Sequence, residues 1–295
     1  MKNYEVIKGK QWQIGDVTIY SLYEDEYVFP FENGFRWILP TARLEPSEID
    51  WLVPDFATEA FDMKIGIQSF LIKSKGKNIL VDNGEFKQDG VWESNLNAAG
   101  CSPEDIDYVM FTHLHDDHVS RNTKIGVMCT LLPTFTNARY LFYKENYDWI
   151  KGLYDHPERR KGFPQYDQTW TYLLNVLPLV EQGKVDFIDE TFTLNDEISL
   201  YPTPGHMPGM VAIVVKSKGD SAMISGDFCH NPIQFTQLDV AAKWDVDPEL
   251  GVETRKKVLA ELAGTDMIFF ASHFTGNHGG FIVEDGKGAY RLKVA

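Results

Sequence analysis

Three histidines and two aspartates fall within six residues, His113-Leu114-His115-Asp116-Asp117-His118, directly behind the apolar run DYVMFT. That run has the length and β-branched or aromatic content of a buried strand, so the cluster starts where a strand ends. In extended backbone the side chains at i and i+2 point the same way. His113 and His115 can therefore grip one ion together. Asp117 and His118 come where the chain turns towards a helix, so they point elsewhere and can grip a second. Imidazole nitrogen and carboxylate oxygen are common ligands for zinc and similar divalent metals. The competing reading is a polar loop in which histidines merely cluster. It has to place five such residues behind one apolar strand by accident.

Two ions need more ligands, and the rest of the chain offers them in like positions. His206 lies in Pro204-Gly205-His206-Met207-Pro208-Gly209, after the run DEISLYPT. The glycines and prolines there suit a tight loop that holds a ligand rigidly at a strand end. Asp227 ends SAMISGD, and its carboxylate can bridge two ions. His273 ends DMIFFAS. Every candidate ligand thus sits at the C-terminal end of an expected strand.

These motifs, HLHDDH, PTPGHMPG, SGD and ASH, resemble those of the metallo-β-lactamase superfamily, whose core motif is HxHxDH. The likeness runs from about residue 65 to the C-terminus. It implies an α/β fold, a four-layer αββα sandwich, with a dinuclear site at one edge of two sheets. It assigns His113, His115 and His206 to one metal, and Asp117, His118 and His273 to the other, with Asp227 bridging. ILVDNG resembles the strand that carries a structural aspartate, here Asp82. The implied cofactors are two divalent ions, zinc foremost, with Mn, Fe or Co also accepted by such ligands. Water held between two such ions loses a proton easily, its pKa falling from about 15.7 to about 7. The resulting hydroxide is the expected nucleophile, with Asp117 orienting it and moving its proton.

The order of elements agrees. Strands are expected over 11–29, in IQSFLIKSK and ILVDNG around a turn at Lys75-Gly76-Lys77-Asn78, and in DEISLYPT, GMVAIVVKSK, SAMISGDF and DMIFFAS. Helices are expected at 92–99, in KENYDWIKGLY, over 166–180 and in ETRKKVLAELAG. The pattern suggests two similar halves whose sheets pack face to face with helices outside. We expect one domain over 1–295, with an aromatic loop segment at about 30–64. A short helix is expected there around PSEIDWLV, with Ser47 as N-cap.

The 295 residues carry a formal charge of −15. Such a chain repels phosphate backbones and anionic lipid, which argues against nucleic acid or a membrane as partner. The N-terminus has no apolar core of signal-peptide length, and no run reaches the ~18 residues of a membrane span. Cys101, Cys129 and Cys229 are an odd count without a CxxC pair, so a cytoplasmic protein with reduced thiols is expected.

The resemblance narrows the activity by branch. Exported β-lactamases lack the bridging aspartate, and glyoxalase II relatives carry a longer basic C-terminal part, whereas 22 residues follow His273. Nucleic-acid-processing and flavin-linked diiron members carry added domains. Stand-alone lactonases and esterases remain, together with the methyl parathion hydrolase subgroup, which the tail HFTGNHGGFIVEDGKGAYRL resembles. The favoured expectation is a hydrolase of small carboxylic esters, lactones in particular. The alternatives are an organophosphate triester hydrolase and a non-hydrolytic redox or sensor protein. His230, three residues after Asp227, takes the place of a tyrosine common in the lactonases. Its expected role is a hydrogen bond to the substrate carbonyl or leaving group.

Phe35, Trp37 and Trp51 are bulky enough to wall an apolar pocket or to form the contact of a homodimer, with ordinary core packing as the alternative. The insert 121–165 is a second candidate wall. His278 can line the pocket or serve the loop alone. His156 is read as solvated, and Cys229 as a buried neutral thiol.

Overall fold

Alternate residues of the central strands belong to two different cores, and this sorting defines the architecture. The computed structural model describes residues 11–87, 90–162, 168–276 and 279–295. The first sheet contains β1 (Gln11–Ile14), β2 (Val17–Phe29), β3 (Met63–Ser74), β4 (Lys77–Val81), β5 (Tyr108–Met110), β8 (Arg139–Tyr143) and β9 (Val185–Ile188), in that spatial order. The second runs β10 (Ile198–Pro202), β11 (Val211–Ser217), β12 (Asp220–Ile224), β13 (Ile268–Phe270), β14 (Gly280–Glu284) and β15 (Tyr290–Val294). A small hairpin, β6 (Thr123–Ile125) with β7 (Leu131–Pro133), stands apart.

Along β11, Val211, Ile213 and Val215 face the first sheet, where they meet Ile72, Ile79, Val81 and Met110 in one buried cluster. Their neighbours Ala212 and Val214 belong to the other cluster, which also holds Val258 and Leu259 of the helix Pro248–Leu262. The same alternation separates Leu80 from Ile79 and Val81, and Phe269 from Ile268 and Phe270. A period of two therefore feeds both faces of each sheet, and buried strands read as continuous apolar runs. The helices Val91–Ala98 and Lys144–Asp155 pack on β2 and β8 of the first sheet, and Pro248–Leu262 packs on β14 of the second. The layers are αββα, as expected from the sequence. Replacing Ile213 with Val removes one methyl from the fully buried layer between the sheets. The expected cost is about 1 kcal/mol, read from the midpoint of urea unfolding.

Two features differ from the sequence reading. The helix expected around Ser47 spans only Pro46–Ile49 and continues as one 3₁₀ turn, Asp50–Leu52. Its N-cap is Glu45, with no side-chain hydrogen bond, because Pro46 occupies the first helical position and moves Ser47 inside. The segment 30–64 is also less a loop than a set of short helical turns. Phe31, Phe35, Leu52 and Phe56 are all buried in the outer core.

Neighbouring strands of the first sheet differ in length. β4 pairs only with Phe70–Ser74 of β3. The remaining stretch of β3, from Met63 to Ser69, pairs with Leu22–Phe29 of β2 and with no other strand among the described residues, across a bulge at Tyr23/Asp25. This two-stranded extension overhangs the ends of β4 and β5. No helix among the described residues is long and apolar enough to cross a membrane.

Candidate metal centre

The strand ends bring the seven expected ligands into two adjoining groups. The nitrogens of His113, His115 and His206 form one, and those of His118 and His273 with the carboxylates of Asp117 and Asp227 form the other; within each, ligand atoms lie within 4.8 Å of one another. His113 Nε2 and His206 Nε2 stand 2.9 and 3.0 Å from His115 Nδ1. Zn–N bonds of 2.0–2.1 Å with tetrahedral angles place ligand nitrogens roughly 3.3 Å apart, so this triangle has the size of one face of such a site. A single ring nitrogen cannot satisfy both neighbours with one hydrogen, and a cation in the middle can.

Asp227 lies between the groups. Its Oδ2 is 3.0 Å from His273 Nε2, 3.7 Å from His206 Nε2 and 3.8 Å from His113 Nε2, and its Oδ1 is 3.3 Å from His118 Nε2. Among the described residues, neither Oδ1 nor His118 Nε2, both buried, has a hydrogen-bond partner. Such orphaned groups are costly unless something else satisfies them. The donor set and its orphaned atoms fit a pair of divalent cations.

Backbone constraints hold the ligands in place. Gly205 has φ of +128°, and a Cβ there would come within 2.3 Å of the Gly251 backbone at the start of the helix Pro248–Leu262. Gly226 has φ of +61°, and a Cβ would strike Thr112, next to His113. Both loops close only with glycine, as the PTPGHMPG and SGD motifs suggested.

The outer nitrogens of His118, His273 and His206 each have a partner. His118 Nδ1 is 2.8 Å from Asp82 Oδ2, and the same carboxylate accepts from Thr112 N and Thr112 Oγ1, both at 2.8 Å. His273 Nδ1 donates to the Gly66 carbonyl at 3.0 Å. His206 Nδ1 is 2.9 Å from Asp245 Oδ1. Such contacts fix the tautomer and leave the inner nitrogen free to ligate. Asp245 has no counterpart in the sequence reading. It lies 39 residues from His206 in a loop without motif, and only the tertiary fold brings it there.

The charges are mutually dependent. Burial and the neighbouring histidines hold His113 and His115 well below the usual imidazole value. Burial alone would push Asp227 up, but His273, His118, His113 and His230 outweigh it and keep the carboxyl well below its usual range. Burial would lower His273, yet Asp227 and Asp117 lift it to about 9.

A cavity of about 490 Å³ opens onto the ligands. Tyr27, Phe29, Ile65 and Ile67 of the β2–β3 overhang wall it, with Ile38 and Trp244, while Glu85, Asp116 and Gln168 add polar groups. His230 lines it as well, buried, with Nε2 3.3 Å from Asp227 Oδ2 and its ring stacked on His273 at 5.6 Å. Burial pushes the His230 pKa down, which keeps the ring neutral.

The aromatic residues singled out from the sequence lie elsewhere. Phe35 is fully buried in the outer core. Trp51 packs edge-on against Phe56 and donates from Nε1 to Thr236 Oγ1 at 3.1 Å. Trp37 is exposed and reaches the cavity only indirectly, with its ring 5.0 Å from that of Trp244. No described residue of the insert 121–165 lines the cavity; its hairpin turns Ile125, Val127 and Met128 to solvent instead. His278 lies outside the described residues. His156 is exposed beside Glu158, and burial pushes the Cys229 thiol up to about 12, so both match their readings.

Residues 64–273 match the family described as the metallo-beta-lactamase superfamily, well over half of the chain. The chain belongs to the metallo-beta-lactamase superfamily. A curated relative from Methanocaldococcus jannaschii, a probable metallo-hydrolase, is 26% identical over 61% of this chain. The match spans 64% of that relative's length. Among solved structures, a hydrolase of the beta lactamase superfamily, AbOPH, superposes with a TM-score of 0.79 at 24% identity, over 97% of this chain and 96% of its own. AidC, a dizinc quorum-quenching lactonase solved with the product N-hexanoyl-L-homoserine, superposes with a TM-score of 0.76 at 25% identity, over 97% of each chain.

Proposed function

We propose that this superfamily member is a hydrolase of carboxylic esters, lactones foremost, working with two divalent ions for which zinc is the best candidate. The observation that carries the reading is a complete seven-ligand set opening onto a mostly apolar cavity of substrate size. The likeness to AidC along the whole chain supports lactones as the first substrates to try.

When bound, the ions would lower the pKa of a water towards about 7 and polarise the scissile carbonyl. The chain's own residues supply the rest. Asp227 holds the two ligand groups in register. Asp117, 29% exposed where it lines the cavity, accepts the proton that the attacking water gives up and returns it to the leaving alkoxide. His230 lines the cavity with Nε2 3.3 Å from Asp227 Oδ2, so the single hydrogen of its neutral ring is directed at that carboxylate and steadies it beside the substrate. Tyr27, Phe29, Ile65 and Trp244 exclude water around the acyl or alkyl chain. Hydrolysis adds one water across the acyl C–O bond; an ester gives carboxylate and alcohol, and a lactone gives one hydroxy acid.

The test is a panel of an aryl acetate, a long-chain lactone and a dialkyl aryl phosphate, run with metal analysis on the same sample. Two ions per chain and turnover highest on the lactone are expected. Turnover of the phosphate alone would replace the reading with phosphotriester hydrolysis. Absorbance characteristic of iron without hydrolysis of any probe would replace it with a redox or sensor role. In the same panel, Trp244→Ala should raise KM for the long-chain lactone several-fold, as expected for the loss of roughly 1 kcal/mol of apolar contact, with kcat little changed.

A further inference from the structure

The cavity walls carry a charge pattern that the metal centre does not use. Glu85 and Asp116 line the cavity, and neither has an ion-pair partner among the described residues. Glu85 is fixed in place by the Tyr27 hydroxyl, which donates to its Oε2 at 2.7 Å. No lysine or arginine is among the described lining residues. The nearby Lys87 is already bound to Asp25, with its ammonium 4.5 Å from the centre of the Tyr27 ring. Tyr27, Phe29 and Trp244 present aromatic surface to the same space. His230, only 6% exposed, lines it too, and its Nδ1 lacks a hydrogen-bond partner among the described residues.

Charge counting shows what such a cavity admits. Two divalent ions bring four positive charges, and Asp117, Asp227, Glu85 and Asp116 bring four negative ones. With two such ions held by the ligands, the cavity would be neutral before a substrate enters, with no positive charge left over to attract an anion. An anionic substrate would meet repulsion at Glu85 and Asp116. A cationic one would find carboxylates and aromatic rings together, the arrangement that recognises ammonium groups. The carboxylate product would be pushed out by the same two side chains.

We propose that the cavity selects esters bearing an ammonium group, with Glu85, Asp116 and the ring of Trp244 as the recognition site. The inference rests on the hydrolase reading for its chemistry but not for its binding step. Hydrolysis of such an ester consumes one water, breaks the acyl C–O bond, and yields carboxylate, alcohol and one proton.

Binding and turnover are measured separately on the metal-loaded protein. Choline and its uncharged isostere 3,3-dimethylbutanol are titrated against tryptophan fluorescence. Choline butyrate and 3,3-dimethylbutyl butyrate are compared as substrates. Choline should bind about 10-fold more tightly, the size of a cation–π and carboxylate preference in a partly desolvated site, and kcat/KM should follow the same ratio. Glu85→Gln should bring both ratios towards one. Equal or weaker binding of choline in the wild-type protein overturns the inference, whatever the enzyme hydrolyses. Preferential binding of choline with no ester or lactone hydrolysed leaves the cation site standing and removes the hydrolase reading instead.

Discussion

Replacing Asp227 with Ala should lower metal content from two ions per chain to one or fewer and reduce ester turnover about 10³-fold, the scale of roughly 4 kcal/mol for an unpartnered buried charge. The geometry explains why one residue has so large an effect. Its carboxylate faces both ligand groups, with Oδ2 3.0 Å from His273 Nε2 and 3.7 Å from His206 Nε2, and Oδ1 3.3 Å from His118 Nε2. Without the carboxylate, His118 and His273 lose the central anion that compensates a cation bound beside them. The remaining Asp117 is partly exposed and reaches only that group, with Oδ2 3.4 Å from His273 Nε2. Asp227→Asn keeps the shape and removes the charge, so it should lose metal as well while retaining the near-ultraviolet circular dichroism of the folded core. Elemental analysis and steady-state rates on both variants decide the matter. Full occupancy with a near-normal rate in either would sink the bridging assignment.

How much of the molecule was legible in the sequence depended on the range of the interactions. The ligands were legible because each is tied to a local signal. A strand ends, a glycine permits a sharp turn, and a histidine or aspartate comes next. The sandwich was legible because runs such as GMVAIVVKSK and DMIFFAS supply both faces of a buried sheet. Failure came where tertiary geometry decides. Phe35 and Trp51 have the bulk for a pocket wall, but the short turns of 30–64 fold them into or against the outer core. The actual wall comes from Tyr27, Phe29, Ile65 and Ile67, because β2 and β3 outrun β4. The sequence does carry that signal, as two long strands followed by a five-residue one, but only knowledge of the register turns it into an overhang. β9 was missed because its strand, VDFI, is short and polar at one position, and it is recognised as a strand through its pairing with β8.

Asp245 was invisible for the same reason, and it should prove the most consequential residue outside the ligand set. Asp245→Asn should weaken metal binding at the His113, His115 and His206 group by about 10–100-fold, the usual effect of losing a ligand's outer partner. The side chain of Asp245 is 3% exposed, with Oδ1 2.9 Å from His206 Nδ1 and Oδ2 accepting from Ala242 N at 2.8 Å. Burial would raise its pKa, but the hydrogen bond and charge of His206 hold it below the usual carboxylate value. A carboxylate accepts from both neighbours at once. An asparagine amide has one acceptor and must fail one of them. If its oxygen faces Ala242 N, its NH₂ meets His206 Nδ1 and favours the tautomer with hydrogen on Nε2. That hydrogen occupies the position aimed at His115 Nδ1, 3.0 Å away, where a cation has to bind. If its oxygen faces His206, two donors collide at Ala242. The loop is in no position to move aside, because the buried Arg255 guanidinium donates to the carbonyls of Leu238 and Val240 just before it. Chelator competition measures the affinity, and excess metal should restore most of the lost rate, since the ligands themselves remain. An affinity within twofold of wild type would show that His206 is oriented without Asp245.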